Sequence, residues 1–149
     1  LIAAQTGKYF LIVASTLIAL ALFFALSIAP VISSQQTVSI SGQCVRVVDG
    51  DSLYIERHKP QIRLWGVDAP ERNEAGYQRA KDKLTELAKN KNLHCEAIEI
   101  DKYDRAVARC YVQGQGGVRI ELNRALLEAG VASEYCWFSK GFYGFCDHN

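Results

Sequence analysis

Val45-Arg46-Val47-Val48-Asp49-Gly50-Asp51-Ser52-Leu53-Tyr54-Ile55-Glu56 reads as two strands folded back on one another. Asp49-Gly50 between two apolar runs is a hairpin turn signal. The first run extends back to Val38, giving a strand from Val38 to Val48 that is broken once by Gly42, where a bulge is expected. The second strand covers Leu53 to Glu56. His58-Lys59-Pro60 supplies the next turn, and Gln61 to Val67 reads as a third strand that ends before Pro70.

Further along, Gly76 to Asn90 has helical periodicity, with Ala80, Leu84, Leu87 and Ala88 on one apolar stripe. Two more strands, Leu93 to Ile100 and Ala106 to Val112, flank Asp101-Lys102-Tyr103-Asp104. Glu121 to Ala129 forms a second helix that stops at Gly130. The order is three strands, helix, two strands, helix, with no internal repeat. Five short strands with a helix between the third and fourth suit a five-stranded OB-fold barrel with packed helices, a mainly β fold with α.

The sequence divides into a hydrophobic segment at 1–30, a short linker at 31–37 and a single domain at 38–149. Tyr9 to Ala29 is uncharged and long enough to span a bilayer as a helix. It is read either as an uncleaved transmembrane anchor or as a signal peptide with Lys8 as its basic flank. Either reading directs the domain out of the cytoplasm, anchored to the membrane and facing the periplasm or exterior, or secreted. Lys8 is the one charge in the first 45 residues, so of the 17 basic and 16 acidic side chains the remainder holds 16 of each. A neutral domain is no general polyanion binder, and any nucleic-acid contact must come from a local site.

That local site is visible in two strings, Val48 to Ser52 and Ile62 to Glu71, which end strand-like runs in carboxylates. Carboxylate oxygens can hold a divalent cation, and a guanidinium such as Arg63 can hold a phosphate beside it. A glutamate near a cation-bound phosphate can take a proton from water. Taken singly, Asp49-Gly50-Asp51 also serves as a turn, and Asp68-Ala69-Pro70-Glu71 as a strand exit. Arg105 also serves as a partner of Asp101 or Asp104. Arg63, set inside an apolar strand, needs an anion in any reading.

Four blocks in order, Val48 to Ser52, Arg63 to Glu71, Asp101 to Arg105 and Leu122 to Gly130, make the chain from about Val45 to Ala132 resemble the staphylococcal nuclease (thermonuclease) family. The resemblance implies an OB-fold and calcium-dependent hydrolysis of DNA and RNA, leaving 3′-phosphate ends. By position it implies that Asp51 and Asp68 hold one Ca2+ together with the backbone carbonyl of Ala69, where the family usually has Thr. It implies Glu71 as the base that activates water, Arg63 and Arg105 as phosphate clamps, Lys102 and Tyr103 as substrate contacts, and Asp49 as a secondary acid. DNA or RNA is then the partner, the membrane a second one through the N-terminal segment, and no protein partner is expected. The alternative is a non-catalytic OB module, tethered to the membrane, that binds nucleic acid or protein.

Five cysteines in an outward-facing domain suggest disulfides. Cys95 and Cys110 are equidistant from a hairpin centred between Lys102 and Tyr103, so they face one another across it. Cys136 and Cys146 flank an aromatic loop that a bond between them would close, which leaves Cys44 as a small buried residue. No zinc-type spacing links the cysteines and histidines. After Ala132 the chain departs from the family, whose third helix and base-stacking tyrosines find no clear counterpart. Tyr135, Trp137 and Phe138 stand as substitutes, as core residues or as membrane-proximal aromatics.

Overall fold

Residues 38–146 are described by the computed structural model. The predicted anchor or signal at 1–30 and the linker at 31–37 lie outside the described residues. The elements run β1 (Ser39–Val47), β2 (Ser52–Ile55), β3 (Ile62–Leu64), β4 (Val67–Asp68), α1 (Tyr77–Ala88), β5 (Asn92–Ile100), β6 (Ala106–Gln113), β7 (Arg119–Glu121), α2 (Leu122–Glu128), β8 (Ser133–Glu134) and α3 (Cys136–Ser139). The main sheet has the order β3-β2-β1-β5-β6-β7, and β3 also pairs with β6. Strands β1, β2, β3, β6 and β5 therefore close into the five-stranded barrel expected from strand order, with α1 between its third and fourth strands.

Closure depends on side-chain size. The β3–β6 pairing is parallel and sets Ile62 against Ala106 and Leu64 against Ala108. Ala108 also faces Ala97 across the β5–β6 hairpin. A large residue opposite a small one lets the two strands approach while the interior stays filled. Helix α1 adds Ala80, Leu84 and Ala88 to the core, and α2 adds Leu122, Leu126 and Leu127. Leu87, the remaining member of the predicted stripe, is only partly buried.

Strand β1 serves two partners. Ser39 to Gln43 pair with β5, whereas Cys44 to Val47 pair with β2. The bulge falls between Cys44 and Arg46, not at Gly42 as expected. Gly42 stays in register opposite Leu93, and its glycine has another cause: a Cβ there would lie 2.8 Å from Ile55 Cγ2.

The expected third strand is two. Trp65-Gly66 separates β3 from β4, with Gly66 at φ +68°. The turn swings Val67 and Asp68 out of the barrel to pair with β8, Val67 with Glu134 and Asp68 with Ser133. Strands β7 and β8 were not anticipated, and neither was the one-turn helix α3, which stands where a third family helix was expected to be missing. Glu134 organises this tail. Buried itself, it accepts hydrogen bonds from the Ser139 hydroxyl, from Tyr143 N at 3.0 Å and from Phe145 N at 2.8 Å. Both expected disulfides are present: Cys95–Cys110 crosses the β5–β6 hairpin with Cα atoms 4.1 Å apart, and Cys136–Cys146 closes the tail. Cys44 is free and buried.

Candidate active site

A cleft of about 770 Å³ opens on one side of the barrel, and Asp49, Arg63, Glu71, Lys102, Tyr103 and Arg105 all line it. These residues are far apart in sequence and converge because three connections meet there: the β1–β2 turn, the β3–β4 exit and the β5–β6 hairpin.

Asp51 lies beneath the cleft and is 3% exposed. Its Oδ2 accepts from Ala69 N at 3.1 Å and its Oδ1 from the Ser52 hydroxyl at 3.0 Å. Arg63 Nη1 forms an ion pair with the same Oδ1. The second arm of the fork, Nη2, donates to Val67 O at 3.0 Å and lies 3.6 Å from Asp68 Oδ1. Arg63 thus has the anion its apolar strand demanded, and it bridges the two acids. Burial pushes the Asp51 carboxyl up to about 6, against the pull of the Arg63 charge and with Asp49 raising it further. Gly50 makes this packing possible, since a Cβ there would lie 2.6 Å from the Ala69 Cβ and 2.7 Å from the Ala80 Cβ.

Asp68 is less enclosed, with 60% of its side chain exposed. Together with Ala69 it lines a smaller depression beside the main cleft, not the cleft itself. No cluster of three or more His, Cys, Asp or Glu side chains suited to a metal occurs among the described residues. The donors at hand are the hard oxygens of two aspartates, one buried and one exposed, both facing Arg63. These fit a hard divalent cation that takes its other ligands from backbone, water or phosphate.

The β5–β6 hairpin presents the opposite wall. Asp101 Oδ1 accepts from Tyr103 N at 2.8 Å and Arg105 N at 3.0 Å, and Oδ2 accepts from Arg105 Nε at 2.8 Å. Burial would raise the Asp101 pKa, but these hydrogen bonds and the Arg105 charge outweigh it and hold the carboxyl below its ordinary value. Arg105 therefore pairs with Asp101 while still lining the cleft. Its guanidinium and the Lys102 ammonium both lie over the Tyr103 ring, at 5.4 and 5.0 Å.

On the rim, Glu71 N donates to Glu74 Oε2 at 2.8 Å. The Glu71 carboxylate itself is exposed and has no charged partner among the described residues. Of the C-terminal aromatics, Tyr135 and Phe138 line the cleft with ring centroids 5.5 Å apart, whereas Trp137 is 75% exposed and outside it. Sequence reasoning missed Glu99, a further lining acid. It also missed the role of Asn123, fully buried, which accepts from Cys110 N at 3.0 Å and donates to Trp65 O at 2.9 Å and Ala108 O at 3.1 Å. Asn123 thereby fixes the β3–β4 turn that carries Asp68. An Asn one residue into a helix otherwise apolar on that side was the available signal.

Comparison with known proteins bears on what such a cleft does. The family described as staphylococcal nuclease homologue matches residues 61–143. Its match takes in Arg63, Asp68, Glu71 and Arg105 and begins after Asp51. Micrococcal nuclease of Shigella flexneri is 27% identical over 122 residues, 78% of this chain and 70% of its own length. The probable endonuclease LCL3 of Phaeosphaeria nodorum is 35% identical over 111 residues, 68% of this chain and 37% of its own length. An uncharacterized endonuclease of Haemophilus influenzae is 32% identical over 98 residues, 64% of this chain and 52% of its own length. The chain thus spans about half or less of the latter two relatives.

Proposed function

This chain belongs to the staphylococcal nuclease family, and from that premise we propose that it is a phosphodiesterase that cuts DNA, RNA or both with low sequence specificity. The observation that carries the reading is the convergence of two arginines, an unpaired glutamate, a lysine and a tyrosine on one cleft, directly above an aspartate bridged to a second by Arg63. A fold alone does not give a function, and it is this set of side chains that supports the reading.

Asp51, Asp68 and the Ala69 carbonyl would hold one divalent cation, which the family resemblance implies to be Ca2+. Such an ion, when bound, polarises a phosphodiester and stabilises its developing charge. The residues do the rest. The Glu71 carboxylate accepts the proton of the attacking water. Arg63 and Arg105 donate paired N–H groups to the phosphate oxygens as negative charge builds on them. Each guanidinium already faces a carboxylate, Asp51 or Asp101, so it is held in place and the phosphate competes for its remaining donors. Lys102 and Tyr103 contact the strand beside the reacting phosphate. As the water oxygen bonds to phosphorus the P–O5′ bond breaks, the 5′ oxygen takes a proton from solvent, and the products carry 3′-phosphate and 5′-hydroxyl ends.

The two disulfides support a location outside the cytoplasm. The uncharged run from Tyr9 to Ala29 supports delivery there, as a membrane anchor or as a signal that is removed.

The test is incubation of the full chain with single-stranded DNA in calcium or in EDTA, followed by end-group analysis. Cutting in calcium alone, with 3′-phosphate ends, supports the reading. No cutting by folded, disulfide-intact protein would overturn it in favour of the non-catalytic binding module.

A further inference from the structure

The candidate cleft is poor in net positive charge for a site that takes a polyanion. Arg63, Lys102 and Arg105 meet Asp49, Glu71, Glu99 and Asp101 on its walls, with Asp51 and Asp68 at Arg63. A bound divalent cation would still leave acids in excess of bases. A nucleic-acid strand is drawn in by positive potential, so contacts beyond those of the cleft are to be sought elsewhere on the domain.

The strand register shows where. On β2, Leu53 and Ile55 point into the core, so Ser52 and Tyr54 share the opposite face, where Ser52 is itself buried and Tyr54 half-buried. Ser52 pairs with Arg63 on β3, and Tyr54 pairs with Arg46 on β1. Ser52 lines the candidate cleft. Tyr54 and Arg46 line a second groove of about 1130 Å³ with Arg57, His58 and Lys59. The two sites therefore adjoin residues on the same face of one strand, and two residues along a strand span about 7 Å. That is close to the step between successive phosphates of an extended strand.

The groove carries the chemistry that the cleft lacks. Arg46, Arg57 and Lys59 face one acid, Glu56, whose contact with Arg57 is a loose 3.6 Å. Arg46 and Lys59 have no carboxylate partner among the described residues. The Arg46 guanidinium lies 4.4 Å over the Tyr54 ring, a flat cation-and-aromatic surface of the kind on which a base stacks. His58 Nε2 is shut from solvent at the groove and has no hydrogen-bond partner.

We propose that this groove is a second nucleic-acid contact, which holds the single strand that extends from the catalytic cleft along β2. Arg57 and Lys59 engage its phosphates, and Tyr54 with Arg46 stacks a base. The inference rests on the nuclease reading of the cleft and adds to it a substrate-length preference.

The test uses the full chain in non-ionic detergent and a fluorescein-labelled 20-nucleotide single-stranded DNA. Binding is measured by anisotropy in EDTA from 50 to 300 mM salt, and cleavage in calcium is compared between the 20-mer and a tetranucleotide. The double variant Arg57→Ala/Lys59→Ala alters exposed side chains only, and its melting curve verifies folding. We expect it to bind the 20-mer about tenfold more weakly, with a salt slope reduced by about 1.4 for two lost phosphate contacts. The ratio of kcat/KM on the 20-mer to that on the tetranucleotide should fall by a similar factor. Tyr54→Leu should weaken binding without changing the salt slope. Unchanged affinity and an unchanged substrate ratio in the double variant would overturn the proposal. Wild-type protein that binds through Arg57 and Lys59 but cuts neither substrate would uphold the groove and sink the nuclease reading, so the two failures are distinct.

Discussion

The Arg63 guanidinium lies on the buried Asp51 carboxylate and is held there by Val67 O and the neighbouring charge of Asp68. Removing one partner of a buried ion pair strands the other, at a cost of about 3 kcal/mol. Arg63→Ala should therefore destabilise the calcium-free protein by about that much at pH 8. Asp51→Asn made in the same chain should recover much of the loss. Urea denaturation of the two single variants and the double variant in EDTA checks this, and additive losses would contradict it.

Asn123 satisfies three buried backbone groups on two different segments. Asn123→Ala removes the partner of Cys110 N and of Trp65 O, while Ala108 O keeps its bond from Trp65 N at 2.9 Å, and stranded buried polar groups cost about 1–3 kcal/mol each before relaxation. The expected result is a loss of about 3 kcal/mol in denaturation, larger than for any exposed polar residue of α2. Activity should drop as well, because the Trp65-Gly66 turn that aims Asp68 loses one of its three anchors and keeps the bonds Trp65 N to Ala108 O and Tyr135 N to Gly66 O.

Glu134 sets a pH dependence. Burial would raise its pKa, but hydrogen bonds from Ser139, Tyr143 N and Phe145 N prevail and hold it below the ordinary value. A carboxyl with a depressed folded pKa stabilises the fold at pH above its unfolded value, and that contribution disappears as pH falls. The melting temperature should fall as pH is lowered from 6 towards 3, and more shallowly in Glu134→Gln than in wild type. Equal slopes would contradict the assignment.

The Cys136–Cys146 bond closes the same tail over a separation of 10 residues. A loop of this size, once cross-linked, adds about 3 kcal/mol by restricting the unfolded chain. In Cys136→Ser/Cys146→Ser the amides of Tyr143 and Phe145 should exchange with solvent faster, while those of the β5–β6 hairpin keep their protection. Exchange rises first where local stability is least. Since β8 pairs with the strand bearing Asp68, this variant should also bind calcium more weakly.

What the sequence disclosed follows from what periodicity can carry. The barrel strands, α1 and α2 have clear alternation or helical stripes, and the symmetric spacing of Cys95 and Cys110 about their hairpin announced their bond. Strands of two or three residues carry no period, so β4, β7 and β8 were hidden, and Gln61 to Val67 looked continuous until Gly66 bent it. Site residues were legible as motif members, but not their partners. Nothing local states that Asp51 would be buried under Arg63, that Asp101 would hold Arg105, or that Glu134 would gather the tail. Those arrangements arise only when distant segments meet.

In the proposed function, Glu71 removes a proton from water at a phosphate held in this cleft. The most direct measurement compares wild-type full chain with Glu71→Gln on single-stranded DNA in calcium, with affinity for the same DNA measured alongside. The expected result is a fall in kcat of about 10²- to 10⁴-fold, the usual contribution of a general base, with DNA affinity changed little. Cutting at the wild-type rate by Glu71→Gln would contradict it.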